Sequence, residues 1–144
     1  MSRWKIYAIL ALFLSCDANA QFYSSDANPS TVESISVRII DEATDGCWTN
    51  LREVREYAEE KLRIAGYKVV SQEGEYRFVI NVHAFRLKRR TECVGAIRIG
   101  IESSSISKGV FGFHEIGSFQ LVSVKSPNLN NDALDLVSLM IQIM

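Results

Sequence analysis

The sequence predicts an α+β fold, a two-layer sandwich of a mostly antiparallel sheet with its helices on one face and elements in the order β-α-β-β-β-β-α. Three observations predict it. Residues 31–70 read as strand, helix, strand, because the apolar period changes from two to 3.6 and back. After that unit the chain alternates apolar and polar residues in long runs, as strands with one buried face do. The last segment, from Ala133, returns to helical spacing.

The first strand, residues 32–41, places Ile35, Val37 and Ile39 on one side and Ser34, Ser36 and Arg38 on the other. Asp45-Gly46 then marks a tight turn. Asn50 is a candidate helix cap, with Glu53 placed to complete a capping box by accepting from the cap residue's own amide. The helix carries an inward stripe of Leu51, Val54, Ala58, Leu62 and Ala65, and Gly66 is its expected stop. Its other face is charged and solvated, with Arg52 and Glu56, Arg55 and Glu59, Glu59 and Arg63 at pairing distance.

Residues 67–71 read as a short second strand, followed by a turn at Gly74. The third strand, residues 76–87, alternates Tyr76, Phe78, Ile80, Val82 and Ala84 against Arg77, Val79, Asn81, His83 and Phe85. A fourth, residues 93–103, sets Cys93, Ile97, Ile99 and Ile101 against Ala96, Arg98, Gly100 and Glu102. Residues 103–109 are small and polar and read as a hairpin loop before a fifth strand within 111–124, which Pro127 ends. Asn130, Asn131 and Asp132 offer caps for the final helix, whose Leu134, Val137, Met140, Ile141 and Met144 share a side.

The 144 residues are 47% hydrophobic and 23% charged, the composition of a single globular domain. Residues 1–20 stand apart. Arg3 and Lys5 precede an apolar run from Ile6 to Leu14, and Ala18-Asn19-Ala20 has the small-x-small pattern of a signal-peptidase site. The run is too short to span a bilayer. The expected organisation is a signal peptide at 1–20 cleaved after Ala20, a flexible leader at 21–31, and one domain at 32–144 in a periplasmic or secreted protein. A competing reading lipidates Cys16, which follows the apolar run and Ser15, and would anchor the chain to the outer membrane. A formal net charge of −1 gives no general attraction to nucleic acid.

Cys47 and Cys93 are the cysteines left after the signal, and in an exported protein two cysteines are most simply a disulfide. Regular topology objects. With the first strand up, the helix down, residues 67–71 up and the third strand down, the fourth strand starts at the bottom, at the end of the sheet opposite Cys47. Either the strand at 67–71 is irregular, or the pair is not bonded within one molecule.

No catalytic constellation emerges. His83 and His114 match no zinc spacing, so no metal or cofactor is expected. Ser103-Ser104-Ser105 lies outside any nucleophile elbow, and Gly95 and Gly100 lack the lysine of a phosphate loop. Asp41, Glu42 and Asp45 form an acidic strand end without a paired environment. Two surfaces remain as candidates for partner binding. Arg86, Lys88, Arg89 and Arg90 form a basic turn suited to an anionic surface or acidic partner. Val79, His83, Phe85 and Arg98 point away from the predicted helices, onto an open sheet face suited to an envelope protein or a second copy of the chain. The expected function is therefore a small exported, non-enzymatic binding or accessory protein, with a small hydrolase using the acidic loop or serine run as the alternative.

Overall fold

A computed structural model describes residues 21–22, 28–88, 91–107 and 110–144. The signal segment, Cys16, Arg89 and Arg90 lie outside the described residues. The elements are β1 (Gln21–Phe22), β2 (Ile35–Ala43), α1 (Leu51–Ile64), β3 (Tyr76–Arg86), β4 (Cys93–Ser107), β5 (Val110–Ser126) and α2 (Asn130–Ile143). They form one five-stranded sheet in the order β1-β5-β4-β3-β2, with β2 and β3 parallel and every other pair antiparallel. The α+β class and the mostly antiparallel sheet are as the sequence predicts.

The core forms where the predicted apolar parities meet. Phe78, Ile80 and Val82 of β3 and Ile97, Ile99 and Ile101 of β4 are almost wholly buried. Val54, Ala58 and Leu62 of α1 and Ala133, Leu136, Val137 and Met140 of α2 close over them in the same cluster. Spacings of three and four residues put each of these sets on one helical face. At the end of α1, Gly66 takes φ +97°, its amide bonds to the Arg63 carbonyl and the Tyr67 amide to that of Leu62, closing the helix with a Schellman motif.

Three local expectations are corrected. Residues 67–71 do not form a strand: Val69 makes a single parallel bridge to Ile35, through Ile35 N–H to the Lys68 carbonyl and Val70 N–H to the Ile35 carbonyl. The parallel neighbour of β2 is β3 instead, in unbroken register from Ile35 opposite Tyr76 to Ala43 opposite Ala84. The two lie on opposite sides of β2, since Ile35 takes both as partners: β3 fills the inner side, where it buries a full row of large side chains, and 67–71, with only Tyr67 buried, makes a lone bridge on the outer side. Within the predicted leader, Gln21 and Phe22 pair with Ser118 and Gly117 on the far edge.

The serine-rich stretch after Ser103 is also strand rather than loop. β4 runs on to Ser107 and pairs with β5 down to Val110, beyond the point where β3 begins opposite Ser103. This part is a two-stranded arm beyond the end of β3, and its run of serines carries no apolar alternation that would reveal a strand. Finally, Asn50 makes no capping bond from its side chain to the backbone. Its Nδ2 donates instead to Glu53 Oε2 at 3.0 Å and to the Asn130 carbonyl at 3.4 Å, tying the start of α1 to the start of α2.

Among the described residues no helix is long and apolar enough to cross a membrane.

Candidate functional site: the open sheet face and the disulfide end

The direction of β3 decides where the cysteines lie. At the end of β2, Asp45 and Gly46 take φ of +56° and +70°, and the Cys47 amide bonds to the Thr44 carbonyl at 3.0 Å, a tight turn that Asp-Gly suits. Because β3 runs parallel to β2, it finishes at this same end, and β4 starts there. Cys47 and Cys93 therefore meet, with Cα atoms 5.7 Å apart, in a disulfide that is fully buried. The conflict in the sequence reading is resolved by the loss of the strand at 67–71. Such a bond forms and persists in an oxidising compartment, which is consistent with export.

Around the bridge the loops are fastened together. The Leu129 amide donates to the Cys47 carbonyl at 2.8 Å, and Thr49 and Asn130 exchange two hydrogen bonds of 3.0 Å. Arg86 is part of this fastening. Its Nε donates to the Asp45 carbonyl at 3.2 Å, one terminal nitrogen to the Thr91 carbonyl, and the other to the Pro127 carbonyl at 3.4 Å. Of the predicted basic turn, Arg86 is thus directed inward at three loop carbonyls, and Lys88 is exposed.

The sheet face away from the helices carries the other candidates. It is built from the alternate residues of β2 to β5, which the two-residue strand period turns away from the core. Rows of cross-strand neighbours can be followed over it. Phe85 stands opposite Val94; His83, Ala96 and Val122 form the next row, then Asn81, Arg98 and Gln120, then Val79, Gly100 and Ser118, then Arg77, Glu102 and Glu115. Phe85 is 46% and Val122 63% exposed, so one end is apolar and open. At the centre Arg98 is paired with Glu115, whose other oxygen accepts from Ser118 Oγ at 2.9 Å. A shallow depression there is lined by Ile40, Val79, Asn81, Arg98, Glu102 and Glu115.

Arg77 is a buried cation on this same face that the sequence reading did not single out. It is paired with Glu73, lies 4.0 Å from Glu102, and has its guanidinium 3.3 Å from the centre of the Phe113 ring. Phe113 in turn meets the exposed Phe111 edge to face at 5.3 Å. The arm of β4 and β5 is fixed to the body of the sheet through this stack. Arginine on the outward parity of a long strand is the one signal that could have pointed to it.

His83 is exposed, with Nδ1 3.8 Å from Glu42 Oε2 and both side chains more than half open to solvent. That separation is beyond a hydrogen bond, and the pair lies on an open surface. Among the described residues no group of three or more histidines, cysteines or carboxylates is placed to hold a metal ion.

No family model and no curated protein matches the chain. Among solved structures it is similar to PelC from Paraburkholderia phytofirmans, crystallised as a dodecamer. A methionine variant of that protein in space group C2 shares 14% identity at a TM-score of 0.49, and the form in space group P6 shares 17% at 0.46; in both the match covers 80% of this chain and 90% of that one.

Proposed function

We propose that the chain is a small exported protein of the cell envelope that binds a partner rather than catalysing a reaction, and that the partner docks on the open sheet face. The observation that carries this reading is the face itself. It leaves Phe85 and Val122 exposed on one flank of the Arg98 and Glu115 pair, on the side of the sheet that neither helix covers. Apolar contact area beside orienting charges is the composition of a recognition surface. The disulfide supports an oxidising compartment, and residues 1–20 support export with cleavage after Ala20. Lipidation at Cys16 is the anchored form of the same protein, and the mass of the mature N-terminus distinguishes the two.

The test is capture from envelope extracts by the tagged, exported protein. Wild type is expected to retain a specific protein that Phe85→Asp loses. Loss with Arg89→Glu alone would transfer the contact to the basic turn and to an anionic surface, and no specific capture by wild type would overturn the proposal.

A further inference from the structure

We infer that the outer edge of β2 is a docking site for an extended, acidic peptide segment of a partner protein, which adds to the sheet as a further strand beside Ile39 and Asp41. This surface is an edge of the sheet and is separate from the open face.

The edge is left bare by the path of residues 67–71. Ile35 turns both its amide and its carbonyl outward, to Lys68 and Val70, whereas the Ser34 carbonyl and the Thr44 amide bond inward to β3. Because backbone groups change sides from one residue to the next along a strand, Val37, Ile39 and Asp41 face outward as Ile35 does. Past the bridge of Ile35 to Val69 no strand continues along them among the described residues. The Val37 carbonyl accepts from Arg55 Nη1 at 3.2 Å, and among the described residues the backbone amides and carbonyls of Ile39 and Asp41 have no partner. Unpaired groups of this kind are a template for another strand.

Charge selects the occupant. The two-residue period puts Arg38 on the open face beside Val79, and α1 covers the other face, so Arg55 reaches the edge from the helix side. A groove of about 300 Å3 runs between them, lined also by Ser36, Ser71, Gln72 and Glu73. Glu73 is paired with Arg77, Arg55 is directed at an uncharged carbonyl, and the exposed Arg38 is in no ion pair among the described residues. One guanidinium thus stands on each side of the bare backbone. An added strand sends neighbouring side chains to opposite faces, so two adjacent carboxylates would meet Arg38 and Arg55 in turn. Beyond them Asp41, Glu42 and Asp45 make the far end of the edge acidic, which confines the acids of a ligand to the positions beside the two arginines.

The probe is a short fluorescein-labelled peptide of threonine and valine with two adjacent glutamates at its centre, titrated into the purified, disulfide-bonded protein and followed by fluorescence anisotropy. Saturable binding that weakens with salt is expected. Lysines in place of the glutamates should abolish it. N-methylation of the central residues removes the amides that pair and keeps the charge, and should weaken binding at least about tenfold. Arg38→Glu, at an exposed position, should also weaken it at least about tenfold, and the bound peptide should slow hydrogen exchange at the Ile39 and Asp41 amides. Phe85→Asp, on the open face, should leave the affinity unchanged.

No saturable binding would make the two arginines guards that blunt the edge, and overturns the inference. Equal binding of the N-methylated peptide overturns it, as does unchanged binding by Arg38→Glu or loss of binding in Phe85→Asp. Should inorganic phosphate bind with the same dependence on Arg38 while the peptide does not, the groove is an anion site and the inference falls. If Arg38→Glu does not fold, the N-methylated peptide decides alone. Peptide binding without capture of an envelope protein through Phe85 would overturn the proposed function and leave the edge site standing.

Discussion

Arg86 shows how a residue's neighbours can reverse the meaning of its sequence context. Beside Lys88, Arg89 and Arg90 it reads as one more charge on a solvated turn, yet its guanidinium collects carbonyls from three loops, at Asp45, Thr91 and Pro127. The sequence could not show this, because the acceptors are backbone atoms from distant segments and carry no residue signature. Arg86→Ala should lower stability by about 1–2 kcal/mol in urea unfolding, and Arg86→Lys should not rescue it, since one ammonium lacks the planar fork that reaches all three. Tyr67 carries a second residue-scale expectation. Its burial raises the phenol's pKa above the ordinary 10.0. The neutral form is therefore favoured in the folded state, and this contribution to stability is complete below pH 10 and is lost as pH rises through the higher folded value. Tyr67→Phe should remove that part of the alkaline decline, measured as the difference between the two unfolding midpoints from pH 8 to 11.

At the scale of elements, part of what is local was legible: Val54, Ala58 and Leu62 are buried as the α1 stripe predicts, whereas Ala65 of that stripe is exposed and the Asn50 cap does not form. The stripe of α1 and its stop at Gly66 follow from residues within one or two turns of each other, and the alternation of β3 and β4 follows from neighbours two apart. Residues 67–71 and the arm could not be read this way. Whether a short apolar run extends into a strand depends on what it can bury along the outer side of β2, and a serine-rich ribbon beyond the end of β3 shows no apolar alternation. Gly95 shows what pairing demands of a single position. An added Cβ would lie 2.5 Å from the Ala84 Cβ and 2.7 Å from its Cα, across the β3–β4 ladder, whereas at Gly112 in the arm nothing lies within 4 Å. Gly95→Ala should cost about 1–3 kcal/mol through forced separation of the strands, and Gly112→Ala under about 0.5 kcal/mol, both read from denaturant midpoints. The open face was legible as a face and as a set of outward residues. Its Arg98 and Glu115 pair and the Arg77 stack were not, because they depend on the register of β5 against β4.

For the whole molecule the disulfide is the feature that links compartment to stability. It joins positions 46 residues apart, and the chain-entropy model assigns a loop of that size about 4 kcal/mol. Replacing both cysteines by alanine should lower the unfolding free energy by about 2–4 kcal/mol, and reductant should have little further effect on that variant.

The same bridge encloses α1 and β3, the segment that must be threaded before β2 and β3 can lie side by side. Antiparallel neighbours joined by turns find each other quickly, but a parallel pair with a helix between its strands has high contact order and forms late. With the bridge already closed in the unfolded chain, the ends of β2 and the start of β4 are held together, and the search that remains is short. The oxidised protein should therefore refold faster than the double alanine variant in stopped-flow experiments, while their unfolding rates differ less. Oxidation before folding, in the order that an exported chain meets these events, would then act as a kinetic guide to the parallel pairing of β2 with β3.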